Sequence, residues 1–296
     1  MNKDVVNRSN EDYICSPMNY IGGKYKLLSQ IEPKFPKDIN IFLDMFCGGG
    51  NVGINAVAKN VYFNDNLSYL VDLYRCFSQR EVASIISHIE GRIKEFSLDL
   101  TNVDGYNNLR LLYNQDRNPL DLFVLVAYSF NHQIRFNSVH QFNCPFGKER
   151  SCYNSRIESN LIRFVNRLHE IEHEFLCFNF DELNMDFLGS NDFVYCDPPY
   201  LITTGSYNDG KRGFTGWSPV EEQKLLNILD GLNARGVRFA LSNVIEHKGR
   251  RNELLANWAE SKQYHVHKLA KDYKNSNYHT KNIGITQEVL VTNYQV

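Results

Sequence analysis

Asp197-Pro198-Pro199-Tyr200 directly follows the short apolar run Phe193-Val-Tyr-Cys196. Two prolines can continue neither a strand ladder nor a helix, so the chain must turn stiffly where the strand ends. Asp197 and Tyr200 are then presented at the edge of a sheet. That combination suits an aromatic amine. The lone pair of adenine's 6-amino nitrogen is delocalised into the ring, which makes it a poor nucleophile. A carboxylate and a backbone carbonyl accepting its two N–H bonds would favour a more tetrahedral nitrogen, with the lone pair aimed at an electrophile. Asp197 offers the carboxylate. Pro198 offers the carbonyl, its geometry restricted by the neighbouring ring, and Tyr200 would stack on the base. Such chemistry depends on orientation more than on a strong base, which a rigid tetrapeptide supplies. The bland alternative is a plain Pro-Pro turn.

Two further segments could hold a partner for that amine. Phe46-Cys-Gly48-Gly49-Gly50-Asn-Val-Gly53 follows the apolar run Ile39 to Phe46 and matches GxGxxG through Gly48, Gly50 and Gly53. Glycines permit positive φ and close approach of a ligand. Asp65 lies 17 residues after Gly48, placed to meet the ribose of an adenosine-bearing cofactor. Taken alone, the turn does not choose between NAD and S-adenosylmethionine. Upstream, Tyr20-Ile-Gly22-Gly23-Lys24 precedes an expected helix from about Lys24 to Ile31. It lacks Walker spacing. Lys24 could hold a cofactor carboxylate, and Tyr20 could pack on an apolar or sulfonium portion; an ordinary helix start explains the segment as well.

The elements that must carry these motifs come next. The 296 residues are 43% hydrophobic and 22% charged, ample for a packed core, which excludes a disordered chain. No apolar window approaches the ~20 residues of a membrane span. Lys+Arg is 32 against Asp+Glu 34, so a nucleic-acid partner would need a local basic surface. Seven scattered cysteines without a CxxC pair, and a polar N-terminus, read as a reduced cytoplasmic protein without zinc ribbons. Strand, glycine turn, a helix over Asn51 to Asn60 and the strand Val61 to Asp65 make a βαβ unit, hence a parallel sheet. Helical periods dominate Tyr69 to His88, Tyr106 to Tyr113, Pro119 to Phe130 and Ser155 to Phe175. The α/β rhythm then returns with a helix over Ser218 to Leu232, a strand over Val237 to Leu241, a helix over Arg250 to Lys262 and a strand over Glu288 to Thr292.

The three motifs in this order resemble the Dam-like class of N6-adenine-specific DNA methyltransferases, from about Asn19 to Tyr294. The resemblance implies an α/β fold: a Rossmann-like S-adenosylmethionine-dependent sheet with an inserted, mostly helical target-recognition domain. It divides the chain into a catalytic part, 1–75 and 175–296, and a recognition part, 76–174. It implies methyl transfer to a flipped adenine in double-stranded DNA, no metal, and a restriction-modification or related host or phage role that admits a cognate restriction endonuclease. Cofactor contacts carry over to Tyr20 (often Trp in the family), Lys24, Phe46, Gly48, Gly50, Asp65, Asp181 and Asp197; catalysis to Asp197, Pro198 and Tyr200. Phe130-Asn131-His-Gln-Ile-Arg135-Phe-Asn137 resembles the DNA-reading loop. There Arg135 would pair with guanine, Asn131 with adenine, and Phe130 would fill the space of the extruded base. Residues 131–167 hold six Lys/Arg against two acids, which suits phosphates. The glycine-rich loop Leu201 to Trp217 is an expected lid, and Lys271 to Lys281 a second DNA-facing loop. Three rivals stay open: the same chemistry on RNA, an NAD-dependent oxidoreductase, and a DNA-binding protein without activity.

Overall fold

The strand-forming runs around the motifs are mostly apolar, as expected where both faces of a sheet are covered. In the computed structural model, which describes residues 12–20, 22–203, 217–270 and 286–296, they form the centre of one sheet. Its strands are β1 (Ile41–Asp44), β2 (Asn60–Asn64), β3 (Glu172–Leu176), β4 (Phe193–Cys196), β5 (Arg238–His247), β6 (Arg250–Arg251), β7 (His265–Leu269) and β8 (Thr286–Thr292). The order is β3-β2-β1-β4-β5-β8-β7, with β6 paired to β5. The pairings from β3 to β5 are parallel, while β8 runs antiparallel to both β5 and β7.

Alternation along the strands feeds two cores. Phe42, Phe63, Phe193 and Tyr195 point to one face. There they meet α2 (Ser68–Gln79), α3 (Val82–Glu95), α4 (Val103–Asp116), α5 (Pro119–Tyr128) and α6 (Ser155–Glu170), which follow the one-turn α1 (Leu28–Ile31). Leu43, Val194, Cys196 and Phe239 point to the other face and pack on α7 (Pro219–Ala234) and α8 (Glu253–Ser261). Ser218 caps α7 with a capping box closed by Glu221.

Several expected elements differ. The segment Asn51 to Asn60 is not a helix but a single 3-10 turn, Gly53–Asn55. The side chains of Asn51 and Asn55 are spent instead on the backbone of the N-terminal segment, accepting from the N–H of Ser16 and Ile14 at 2.9 and 2.8 Å. The helix expected from Lys24 to Ile31 is broken into a 3-10 turn, α1 and a second 3-10 turn at Glu32–Lys34, where Pro33 enters. The long period from Tyr69 to His88 is two helices, parted at Arg80 and Glu81. Ser155 to Phe175 is α6 followed by β3. The expected lid and second DNA-facing loop fall largely on residues 204–216 and 271–281, outside the described residues.

Candidate active site

β1 and β4 lie side by side, and the chain leaves β1 toward β2 but β4 toward β5. Strand order reverses between them, and the crevice at their carboxyl ends is where an α/β sheet binds ligands. Both motifs leave from this point. Met45 N–H donates to Tyr195 O at 2.9 Å, and Cys47 N–H to Asn64 O at 2.8 Å, so the glycine turn stays tied to the sheet on both sides. Gly48 and Gly50 take φ of +47° and +72°. A Cβ on Gly48 would stand 2.9 Å from the Tyr20 ring, and one on Gly50 would stand 3.1 Å from the Phe164 ring. Glycine is needed at both positions for backbone shape and for these close approaches.

Beneath the turn lies a cavity of about 390 Å³, within the range of small-ligand sites. Tyr20, Lys24, Phe46, Gly48, Asp65 and Asp181 all line it, as do Asp197 and Pro199. Gly50 is buried in the turn behind it. Six carboxylates (Asp44, Asp65, Asp181, Glu182, Asp197, Glu221) face two lysines, and both lysines are already paired. Lys24, 4% exposed, reaches Asp197 Oδ2 at 2.6 Å, and Lys224 reaches Asp181 Oδ2 at 2.9 Å. Even with Asp44 holding its proton through burial, the remaining acids outnumber the lysines and the wall carries a surplus of negative charge. Asp65 Oδ2 accepts from Gly48 N–H and its Oδ1 from Leu67 N–H, each at 2.9 Å. Asp65 thus braces the turn.

Asp44 is a residue the sequence reading missed. It ends β1, is 1% exposed, and accepts from Gly53 N–H at 2.9 Å through Oδ2, while its buried Oδ1 has no hydrogen-bond partner. Burial pushes its pKa up to about 8 against the Gly53 hydrogen bond, and the charges of Asp197 and Asp65 add to the rise. The signal was an acid closing an otherwise apolar strand.

The Asp-Pro-Pro-Tyr turn is knit around Asp197, whose pKa burial raises against the opposing effect of Lys24 and Tyr200. Its Oδ1 accepts from Tyr200 O–H at 3.0 Å, and Lys24 Nζ sits 5.1 Å from the Tyr200 ring centroid. Lys24 is therefore tied to the Asp197 carboxylate. Asp197 and Pro199 line the cavity, while buried Pro198 and half-buried Tyr200 stand beyond its wall.

The sequence profile of the D12 class N6 adenine-specific DNA methyltransferases matches residues 20–275. This chain belongs to that family. It is 49% identical over 291 residues to the type II methyltransferase M.FokI of Planomicrobium okeanokoites, covering 98% of this chain and 44% of that one. It is 49% identical over 298 residues to the modification methylase StsI of Streptococcus sanguinis, covering 100% and 46%. With the DNA adenine methylase of Escherichia coli K12 it shares 24% over 258 residues, covering 86% and 87%. The chain spans less than half the length of the first two relatives.

In this D12-class chain the stretch from Ser129 to Gly147 is a hairpin joined by two isolated bridges, Ser129 to Phe146 and Phe136 to Phe142. It docks beside the cavity: Phe136 stacks on Tyr69 of α2 at 4.3 Å, and Asn131 O accepts from Asn19 Nδ2 at 3.2 Å. Asn131 takes a left-handed φ of 55°. Phe130 is 39% exposed with the Arg150 guanidinium over its ring at 5.2 Å. Arg135 donates from Nε to Asn143 Oδ1 at 3.0 Å and from Nη2 to Asn143 O at 2.6 Å. One edge of its fork is thus held inside the hairpin. Asn137 Oδ1 accepts from Val139 and Gln141 N–H, so its side chain shapes the turn.

Other site residues also escaped the sequence reading. Asn64 donates to Met45 O and Phe178 O and accepts from Phe178 N–H, stapling the glycine turn to the chain leaving β3. Phe180 and Trp217 pack with Phe46 in an aromatic cluster on the cavity wall, with centroids 5.3 to 5.9 Å apart. Among the described residues no His/Cys/Asp/Glu group is placed to hold a metal ion, and no helix is long and apolar enough to cross a membrane.

Proposed function

We propose that the chain is a site-specific DNA adenine methyltransferase that moves a methyl group from S-adenosylmethionine to the 6-amino group of an adenine extruded from duplex DNA. The observation that carries this reading is the acid-lined cavity opening onto Asp197. A wall whose acids outnumber its two paired lysines attracts a cation and repels the pyrophosphate of NAD. S-adenosylmethionine supplies an electrophilic methyl on a sulfonium sulfur, which keeps the S–C electron pair as the methyl leaves. Tyr20, Phe46 and the Gly48–Gly50 backbone enclose the sulfonium end, Asp65 accepts from the ribose, and Asp181 meets the adenine end. From the other side Tyr200 stacks on the target base. Asp197 and the Pro198 carbonyl accept the two N–H bonds of its amino group, and Asp197 is the nearest acceptor for the proton the methylated nitrogen must lose. Lys24 holds that carboxylate in place.

Residues 1–75 and 175–296 take the catalytic role and 76–174 the recognition role, with Phe130, Asn131, Arg135 and Asn137 on the DNA-facing hairpin. The division is one of role, since α2 crosses residue 75 and helices and sheet share one core. The relatives' names as type II and modification methylases support a restriction-modification setting with a cognate restriction endonuclease.

Incubation with labelled S-adenosylmethionine and either unmethylated bacterial DNA or RNA tests the reading. Label is expected in duplex DNA, at adenines of one short sequence. Label in RNA alone would transfer the chemistry to the rival substrate. Thermal stabilisation by NAD but not by S-adenosylmethionine would overturn it.

A further inference from the structure

The Gly48 peptide is held by more than the sheet. Gly48 N–H donates to Asp65, and Gly48 O accepts from the Tyr74 hydroxyl at 2.8 Å. Tyr74 lies on α2, is fully buried, and packs against Phe164 of α6 at 5.6 Å. Phe164 in turn closes on Gly50. The bond from Gly48 to Gly49 is a planar trans peptide, so its carbonyl and its N–H point in opposite directions. Fixing the Gly48 carbonyl on Tyr74 therefore fixes the Gly49 N–H away from the core, and Gly49 lines the cavity.

We propose that Tyr74 is a positioning residue: from α2, the helix that crosses the boundary between the catalytic and recognition parts, it sets the tilt of the Gly48–Gly49 peptide and so aims a backbone donor at the methionine carboxylate of the cofactor. The proposal rests on the reading of the cavity as an S-adenosylmethionine site. The helices that carry the DNA-facing hairpin then also shape the cofactor turn. α2 holds both ends, with Tyr69 against the hairpin and Tyr74 against the glycines. Without the hydroxyl, Gly48 O loses a buried partner and the peptide is free to rotate, since both flanking residues are glycines or adjoin one.

Tyr74→Phe removes only that hydroxyl. The KM for S-adenosylmethionine is expected to rise about tenfold, a loss of about 1.4 kcal/mol, with kcat within about twofold and the KM for DNA unchanged. The dissociation constant of S-adenosylhomocysteine, measured by equilibrium dialysis, should rise by the same factor. Phe77→Leu, one turn along α2, is the control: it should lower the urea midpoint while leaving the cofactor KM alone. An unchanged cofactor KM in Tyr74→Phe overturns the proposal, and so does a parallel loss in both KM values and kcat. Should Tyr74→Phe not fold, Phe164→Leu must raise the same KM several-fold, or the proposal fails. A wild-type chain that neither binds S-adenosylhomocysteine nor transfers methyl groups would instead remove the reading of the site.

Discussion

The acid-lined cavity and the hairpin over residues 129–147 are built in opposite ways. The cavity sits on the ends of parallel strands, and the charged side chains at its base are shielded and cross-tied, Lys24 to Asp197 and Asp65 to the Gly48 N–H. The hairpin has two isolated bridges and is shaped by side chains bonded to backbone, Arg135 on Asn143 and Asn137 on its own turn. The first arrangement holds its side chains in fixed positions, which is what oriented chemistry requires. The second leaves a shape that single substitutions can change without disturbing the sheet. Constant chemistry and variable recognition can then share one chain.

Substitutions can break or sharpen that contrast. Asp197→Ala should lower methyl transfer by about a hundredfold to a thousandfold, as for loss of one preorganised group, while gel-shift affinity for duplex DNA survives. Undiminished transfer would remove Asp197 from catalysis. Lys24→Met strands a mostly buried carboxylate and should destabilise the fold by about 3 kcal/mol in urea; a stability near wild type would mean that the pair is worth little. On the hairpin side, Arg135→Ala should relax recognition at one base pair by about 1–3 kcal/mol with little change in stability. Equal weakening on all sequences would make Arg135 a phosphate contact.

Asp44 supplies a pH test on the cavity side. Its folded pKa, raised to about 8 from 3.8, means that the native state holds the proton more tightly than the unfolded chain does. Its effect is to lower stability as pH rises from about 4 to about 8. A cationic ligand favours the ionised form, so S-adenosylmethionine affinity should strengthen up to about tenfold per pH unit as the pH rises toward 8, with proton release. Calorimetry in buffers of different ionisation enthalpy reads that proton, and Asp44→Asn should abolish it. The smallest effect is expected of Asn137→Ala, about 1 kcal/mol on duplex binding, with methyl transfer at saturating DNA unaltered.

What the sequence revealed divides along similar lines. β4 was legible to the residue because its four apolar side chains serve two cores at once. β3 (Glu-His-Glu-Phe-Leu) and β7 (His-Val-His-Lys-Leu) were not, because edge strands half in solvent carry polar residues that resemble helix ends or loops. Gly48, Asp65 and Asp197 announced themselves by local pattern. Asn64 and Tyr74 did not, since their roles lie in bonds to backbone 19 and 26 residues away, at positions any buried polar residue could occupy. The false helix over Asn51 to Asn60 has the same origin: its asparagines answer to residues 14 and 16, beyond any local window.

The ion pair between Lys24 and Asp197 joins residues 173 positions apart. A ribosome must therefore add 173 residues beyond Lys24 before the Asp197 carboxylate can meet its counter-ion. A nascent chain released midway through that stretch carries the glycine turn without β4, the strand that flanks β1 in the sheet.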